Sequence, residues 1–172
     1  MASTKEIAKL IRTDLKAFPG FKFSVTIENY SGGSSISLHV MAAPHRMIRT
    51  MAEIPAINDP ENTGRYTRTQ IEEMQSKKYH QLSQYQLRSS DEYAPDTWNN
   101  GVFLTEYGHN ELKKIVVVVE KYHKDSSDSS IDYFNCNFYF HLSLGKWDNL
   151  FVDGVDAPVM IPAVVQAAEA IA

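Results

Sequence analysis

The stretch "FNCNFYFHLSL", residues 134–144, alternates without a break. Phe134, Cys136, Phe138, Phe140, Leu142 and Leu144 fall on one parity, and Asn135, Asn137, Tyr139, His141 and Ser143 on the other. Successive side chains of an extended chain point to opposite faces, so a period of two predicts a long strand with one buried and one polar face. The same period appears near the start of the chain. Phe21, Phe23, Val25 and Ile27 oppose Lys22, Ser24, Thr26 and Glu28, and Ile36, Leu38 and Val40 oppose Ser37 and His39. Between these two segments lies "NYSGGSS", residues 29–35, so a β-hairpin is expected there, with Gly32 and Gly33 supplying turn angles that other residues reach only with strain. A phosphate-cradling glycine loop runs from a strand into a helix, whose free amides complete the anion site. This loop runs into another strand and no Gly-Lys-Ser/Thr element follows, so Ser31, Gly32, Gly33, Ser34 and Ser35 read as a turn whose hydroxyls are available for contact.

Helical spacing frames these strands. In "KEIAKLIRTDLKA", residues 5–17, Ile7, Leu10, Ile11 and Leu15 form an apolar stripe, with Ser3 or Thr4 placed to cap the first amides. Lys5, Lys9, Arg12 and Lys16 form a basic ridge on the other side, and Pro19-Gly20 ends the helix. Asp14 falls nearer the apolar stripe than the pattern explains. A second helix is expected over about 68–87, opened by Thr69 and Glu72 as a capping box. Residues 111–122 read as helix or strand: Ile115, Val118, Val119 and Tyr122 keep helical spacing with Asn110 as cap, while four consecutive valines have strand propensity. The helical spacing is the stronger signal. Residues 41–66 are turn-rich, "DSSDSS" at 125–130 is a loop, and the tail predicts a short helix opened by Pro162. The expectation is one α+β domain over 1–172, with an antiparallel sheet, an N-terminal hairpin, a long later strand, helices on one face and a variable middle segment at about 41–107.

Bulk properties narrow the classes. A chain of 172 residues with one cysteine has no internal disulfide to rely on and fits a reducing, cytoplasmic compartment. The opening residues lack a basic-then-apolar leader, and the longest apolar run, Ile115–Val119, is far short of a bilayer span, so no membrane partner is expected. Residues 1–50 carry seven Lys or Arg against three Asp or Glu, whereas residues 51–172 carry ten against eighteen. That dipolar layout orients a partner but is not the uniformly basic surface of a generic DNA binder.

Chemistry-bearing residues are scattered. His39 and His141 fall on the polar parity of their strands, and with Asp132 or Asp128 would give a metal-dependent hydrolase its ligands, yet no short ligand-spaced cluster occurs. Neither metal nor cofactor is expected. Cys136 shares the parity of phenylalanines, where burial raises a thiol pKa and makes it inert. No Gly-x-Ser-x-Gly elbow exists to present a serine nucleophile. The residue types that stand out suit binding instead. Asn135, Asn137, Tyr139 and His141 form a polar strand face fit for protein contact, and Lys5, Lys9, Arg12 and Lys16 form a face fit for phosphates.

Taken together, "IAKLIRTDLKAFPGFKFSV", "YSGGSSISLHV" and "KYHKDSSDSSIDYFNCNFYFHLSLG" resemble the large polyvalent protein-associated domain 29, found in proteins of phages, plasmids and other mobile elements. The resemblance covers residues 7–40 and 115–147. Its matching positions are Phe18, Pro19, Gly20, Ser31 to Ser35, Asp132, Tyr133, Phe134, Asn137, Phe138 and Tyr139, and residues 41–107 depart from it. It transfers no catalytic residues. It implies a non-enzymatic accessory protein that binds a host protein or ribonucleoprotein, including anti-defence inhibition of the anti-CRISPR kind. Direct nucleic-acid binding through the first helix ranks second, and a hydrolase using His39, His141 and Asp132 third.

Overall fold

In the computed structural model the described residues are 2–53, 79–88, 104–127 and 135–156, with isolated positions 69, 72, 73, 76 and 130. The expected 161–172 helix lies outside them. Helix α1 (Thr4–Asp14) begins at Ser3, whose hydroxyl accepts the Glu6 amide while the Glu6 carboxylate accepts the Ser3 amide. This reciprocal cap satisfies two of the orphan donors at a helix start. The buried stripe of α1 is Ile7, Ala8 and Ile11, continued by Leu15 in the 3-10 turn Leu15–Ala17. Leu10, expected in it, is 46% exposed because it lies one position off the inward arc.

Strands β1 (Lys22–Tyr30) and β2 (Gly33–Ala42) form the expected antiparallel hairpin, with Tyr30 opposite Gly33. Of the two loop glycines only Gly33 has a positive φ, at 150°. A Cβ there would make ordinary contact with the rings of Tyr30 and Tyr139, at 3.7 Å, so it is the backbone angle and not lack of space that calls for glycine.

Three elements depart from the expectation. Residues 80–82 are not helical but form β3 (His80–Leu82), and helix α2 (Gln84–Arg88) follows. His80 and Leu82 alternate into the core and pair with the next strand, which overrides the polar helical pattern around them. The strand expected over 134–144 is shorter: β4 spans Tyr139–Leu144. Most consequentially, β4 runs parallel to β2, so the sheet is mixed rather than antiparallel, with order β1-β2-β4-β3. Parallel neighbours need a crossover of a dozen residues or more, and the chain between β2 and β4 supplies one.

The crossover contains helix α3 (Glu106–Glu120), which resolves the helix-or-strand ambiguity of 111–122 in favour of helix. Its cap is Thr105, whose hydroxyl accepts the Gly108 amide, rather than Asn110. Leu112, Ile115, Val116 and Val119 of α3 join Ile7 and Ile11 of α1 and Leu15 just past its end against Ile36, Leu38, Val40, Phe140, Leu142 and Leu144 of the sheet. Fully burying one such side chain contributes about 1.5–3 kcal/mol, against about 0–1 kcal/mol for an exposed ion pair. The apolar face therefore decides the fold.

Polar links fix how the helices sit. Asp14, out of place on a helical wheel, accepts from the Tyr122 hydroxyl at 2.7 Å and from Lys121 Nζ at 3.0 Å, joining the end of α1 to the end of α3. The Tyr122 hydrogen bond and then Lys121 hold its carboxyl below the usual range. Asp153 accepts the amides of Met47, Ile48 and Gly154, drawing residues 152–155 alongside residues 41–48. Arg46 pairs there with Glu53 and Asp156, and this arginine holds the Glu53 carboxyl down to about 2.

Gly108 packs α3 directly onto backbone: a Cβ there would lie 2.7 Å from the Met47 carbonyl oxygen. At an open helical site Gly→Ala gains about 1 kcal/mol. Here the overlap wins, and Gly108→Ala lowers unfolding free energy by about 1–3 kcal/mol in urea denaturation. An unchanged or raised midpoint contradicts this packing.

Candidate functional site

The face of the sheet turned away from α1 and α3 collects the polar parities of its strands. The register sets Ser24 against His39, Thr26 against Ser37 and Glu28 against Ser35. It then sets Ser35 against Tyr139, Ser37 against His141, and His39 against Ser143. One patch therefore carries Thr26, Ser37, His39, His141 and Ser143, with Tyr30 and Tyr139 at one end.

His39 and Ser143 sit at the centre of a directed chain of hydrogen bonds. Ser143 Oγ lies 2.8 Å from the Gly145 carbonyl oxygen and 2.7 Å from His39 Nδ1. A carbonyl only accepts, so the single Ser143 proton goes to Gly145 and His39 must donate from Nδ1. His39 Nε2 is then the accepting nitrogen, and Thr26 Oγ1 stands 3.4 Å from it, a long contact. Burial, followed by the positive charge of Lys146, holds the His39 pKa below its ordinary value. His39 is thus a neutral Nδ1–H imidazole at neutral pH. A serine nucleophile needs to hand its proton to the imidazole; in this arrangement the serine proton points the other way.

His39 and His141 share the sheet face as their parity implied, on diagonal positions of adjacent strands. Among the described residues, no three His, Cys, Asp or Glu side chains converge to hold a metal ion. Asp132 and Asp128 lie outside the described residues.

The expected polar row of 135–141 divides in two. Tyr139 and His141 are exposed on β4. Asn135 and Asn137 precede the strand and bind the segment after α3. The Asn137 side chain donates to the Tyr122 carbonyl and accepts the Lys124 amide, both at 2.8 Å, while its own amide donates to the Lys124 carbonyl. Asn135 donates to Ser126 Oγ at 2.8 Å and accepts the Ser126 amide. These bonds explain why β4 starts late: the backbone of 135–137 is paired with 124–126 and not with β2. Cys136 is accordingly half-buried in a bridge to Asp125 rather than on an apolar strand face.

The loop residues also separate. Ser31, Gly32 and Gly33 are exposed, Ser34 Oγ is 2.7 Å from Thr4 Oγ1 under the start of α1, and Ser35 is buried. Lys5 and Lys9 on α1 and Lys16 in the turn after it are exposed, but Arg12 donates from Nη2 to the Val25 carbonyl at 2.7 Å. The ridge offers three cations outward and commits the fourth to β1.

Tyr30 was missed by sequence reasoning. It is 46% exposed and stacks on Tyr139, itself 42% exposed, with ring centroids 6.3 Å apart across Gly33. Its parity matched Thr26 and Glu28, and that was the available signal; its neighbour across the sheet could be known only with the β2–β4 register.

The architecture defines a small α+β domain whose mixed sheet buries one face under helices and presents polar and aromatic groups on the other. A family model matches residues 2–102, and the chain belongs to that family, large polyvalent protein associated domain 29, an accessory domain of phages and mobile elements. The match takes in the middle segment up to residue 102, where the resemblance in the sequence breaks off, and ends before residues 115–147, where the sequence resembles the family again. No curated protein and no solved structure matches the chain. No helix among the described residues is long and apolar enough to cross a membrane.

The hydrogen-bond directions around His39 are testable. Long-range nitrogen–proton NMR at neutral pH is expected to show His39 as the Nδ1–H tautomer, titrating below 6.5. An Nε2–H tautomer contradicts the chain from Thr26 to Gly145.

Proposed function

We propose that this domain is a non-enzymatic interaction protein of a mobile element, which binds a host protein or ribonucleoprotein through the sheet face and acts in anti-defence, in the manner of an anti-CRISPR inhibitor. The observation that carries the reading is the Tyr30–Tyr139 pair beside exposed His141 and Thr26 on one face of the sheet. Tyrosine supplies a large contact area with few torsions to freeze, and aromatic anchors dominate binding energy at protein interfaces. Family membership supports the mobile-element setting. The Ser143 proton, committed to the Gly145 carbonyl and not to His39, favours a binding surface over a nucleophilic one. Asn135 and Asn137 drop out of this surface because their amides hold the fold together.

Affinity capture from a lysate of the host, followed by identification of the bound proteins, tests the reading. A Tyr30→Ala, Tyr139→Ala, His141→Ala variant is expected to lose about 2 kcal/mol or more of binding, roughly thirty-fold in affinity. Lys114→Ala, on the exposed side of α3, is the control and should capture as the parent does. Equal capture by the triple variant, with its fold intact by circular dichroism, contradicts the assignment to this face.

A further inference from the structure

A second surface lies on the opposite side of the hairpin. The C-terminal half of α1 and the outer edge of β1 enclose a groove of about 420 Å³ lined by Arg12, Leu15, Lys16, Phe18, Phe21 and Phe23. Its walls are aromatic and its charged lining groups, Arg12 and Lys16, are both cations. Phe21 and Phe23 stack at 5.8 Å, with Phe18 edge-on to both, so the rings form a preformed apolar floor.

Strand β1 is at the end of the sheet order, with β2 as its hydrogen-bonded neighbour. The Val25 carbonyl is taken by Arg12 rather than by β2. In an antiparallel ladder the amide and carbonyl of one residue face the same side, and alternate residues repeat that side. Val25 and Ile27 therefore direct their backbone groups to the outer edge. Such an edge is a template for another strand, and proteins shield it with charged side chains. Arg12 stands where the amide of an added strand would donate.

We propose that this groove binds an extended peptide rich in acidic side chains, laid as an additional strand beside β1. This goes beyond the sheet-face reading, because the groove is a separate surface of the same chain. Two exchanges make the occupant specific. A peptide amide replaces Arg12 at the Val25 carbonyl, so no backbone acceptor is stranded. The released guanidinium, with Lys16 beside it, then takes a carboxylate, a stronger partner than a neutral carbonyl. Apolar side chains of the peptide on the inward parity pack on Phe18, Phe21 and Phe23. Strand addition of this kind takes affinity from main-chain bonds and selectivity from the pockets beside them. Single-stranded nucleic acid is the less suited occupant, because bases need open ring faces to stack on, and Phe21 and Phe23 already face one another.

Fluorescence anisotropy of the full chain with three labelled probes tests this: a peptide repeating Glu-Ser-Val-Ser, which sets Glu and Val in turn on one face of a strand (the Glu–Val peptide), its Lys-Ser-Val-Ser counterpart and oligothymidylate. The Glu–Val peptide is expected to bind and the other two are not. Arg12→Glu with Lys16→Glu should reverse the peptide preference, weakening the Glu–Val peptide about ten-fold or more. Of two Glu–Val peptides N-methylated on alternate residues, one should lose binding and the other keep it, a readout that leaves the protein unaltered. Equal binding of both charge types, oligothymidylate in place of peptide, or indifference to N-methylation overturns the proposal. Host capture through the sheet face that persists while the peptide fails to bind would overturn the groove alone. Peptide binding without any host capture would support the groove and remove the host-partner reading.

Discussion

The parallel pairing of β2 with β4 is the constraint on which the rest of the molecule depends. It joins residues as far apart as His39 and Ser143. Closing a loop of that length costs about 4 kcal/mol beyond a constant. Two of the six facing side chains, Ile36, Leu38 and Val40 with Phe140, Leu142 and Leu144, offset that at about 1.5–3 kcal/mol each. Because side chains alternate strictly, the register that buries these six also fixes their neighbours on the other face. His39 meets Ser143, and Tyr139 arrives over Gly33 beside Tyr30. A slip of one residue would exchange the two faces and dissolve both the core and the candidate surface.

The crossover that makes the parallel pairing possible also supplies the roof of the core. Helix α3 lies in it, and its two ends are held by different chemistry. At the start, Thr105 caps the helix and Gly108 lets it press onto the backbone of Met47. At the end, Tyr122 and Lys121 reach Asp14 of α1, while the Tyr122 carbonyl and Lys124 take up Asn137. The chain just before β4 is therefore anchored to the helix before it enters the sheet. That anchoring, and not any weakness of the strand pattern, shortens β4.

Much of this was legible in the residues. The hairpin, the first helix and the buried parity of Phe140, Leu142 and Leu144 follow from periodicity alone, as does the shared face of His39 and His141. Strand direction does not: the side-chain pattern of a strand is the same whether its neighbour runs parallel or antiparallel, so the mixed sheet was invisible. His80–Leu82 is too short to reveal a period, and only its pairing with β4 makes it a strand. Asn135 and Asn137 matched the alternation, yet an amide that bonds to its own chain and one that faces solvent look alike in a sequence. Arg12 is the same case, since its spacing placed it on the basic ridge while its length let it fold back to the β1 edge. Asp14, which no helical pattern explained, became intelligible once Tyr122 and Lys121 stood beside it.

Inter-strand nuclear Overhauser effects test the β2–β4 pairing most directly. The account predicts backbone contacts joining the segments around Ile36 and Phe140, Leu38 and Leu142, and Val40 and Leu144, with both numbers rising together along the ladder. Contacts in which one number falls as the other rises would make the strands antiparallel, and would take apart the shared core and the sheet face built on it.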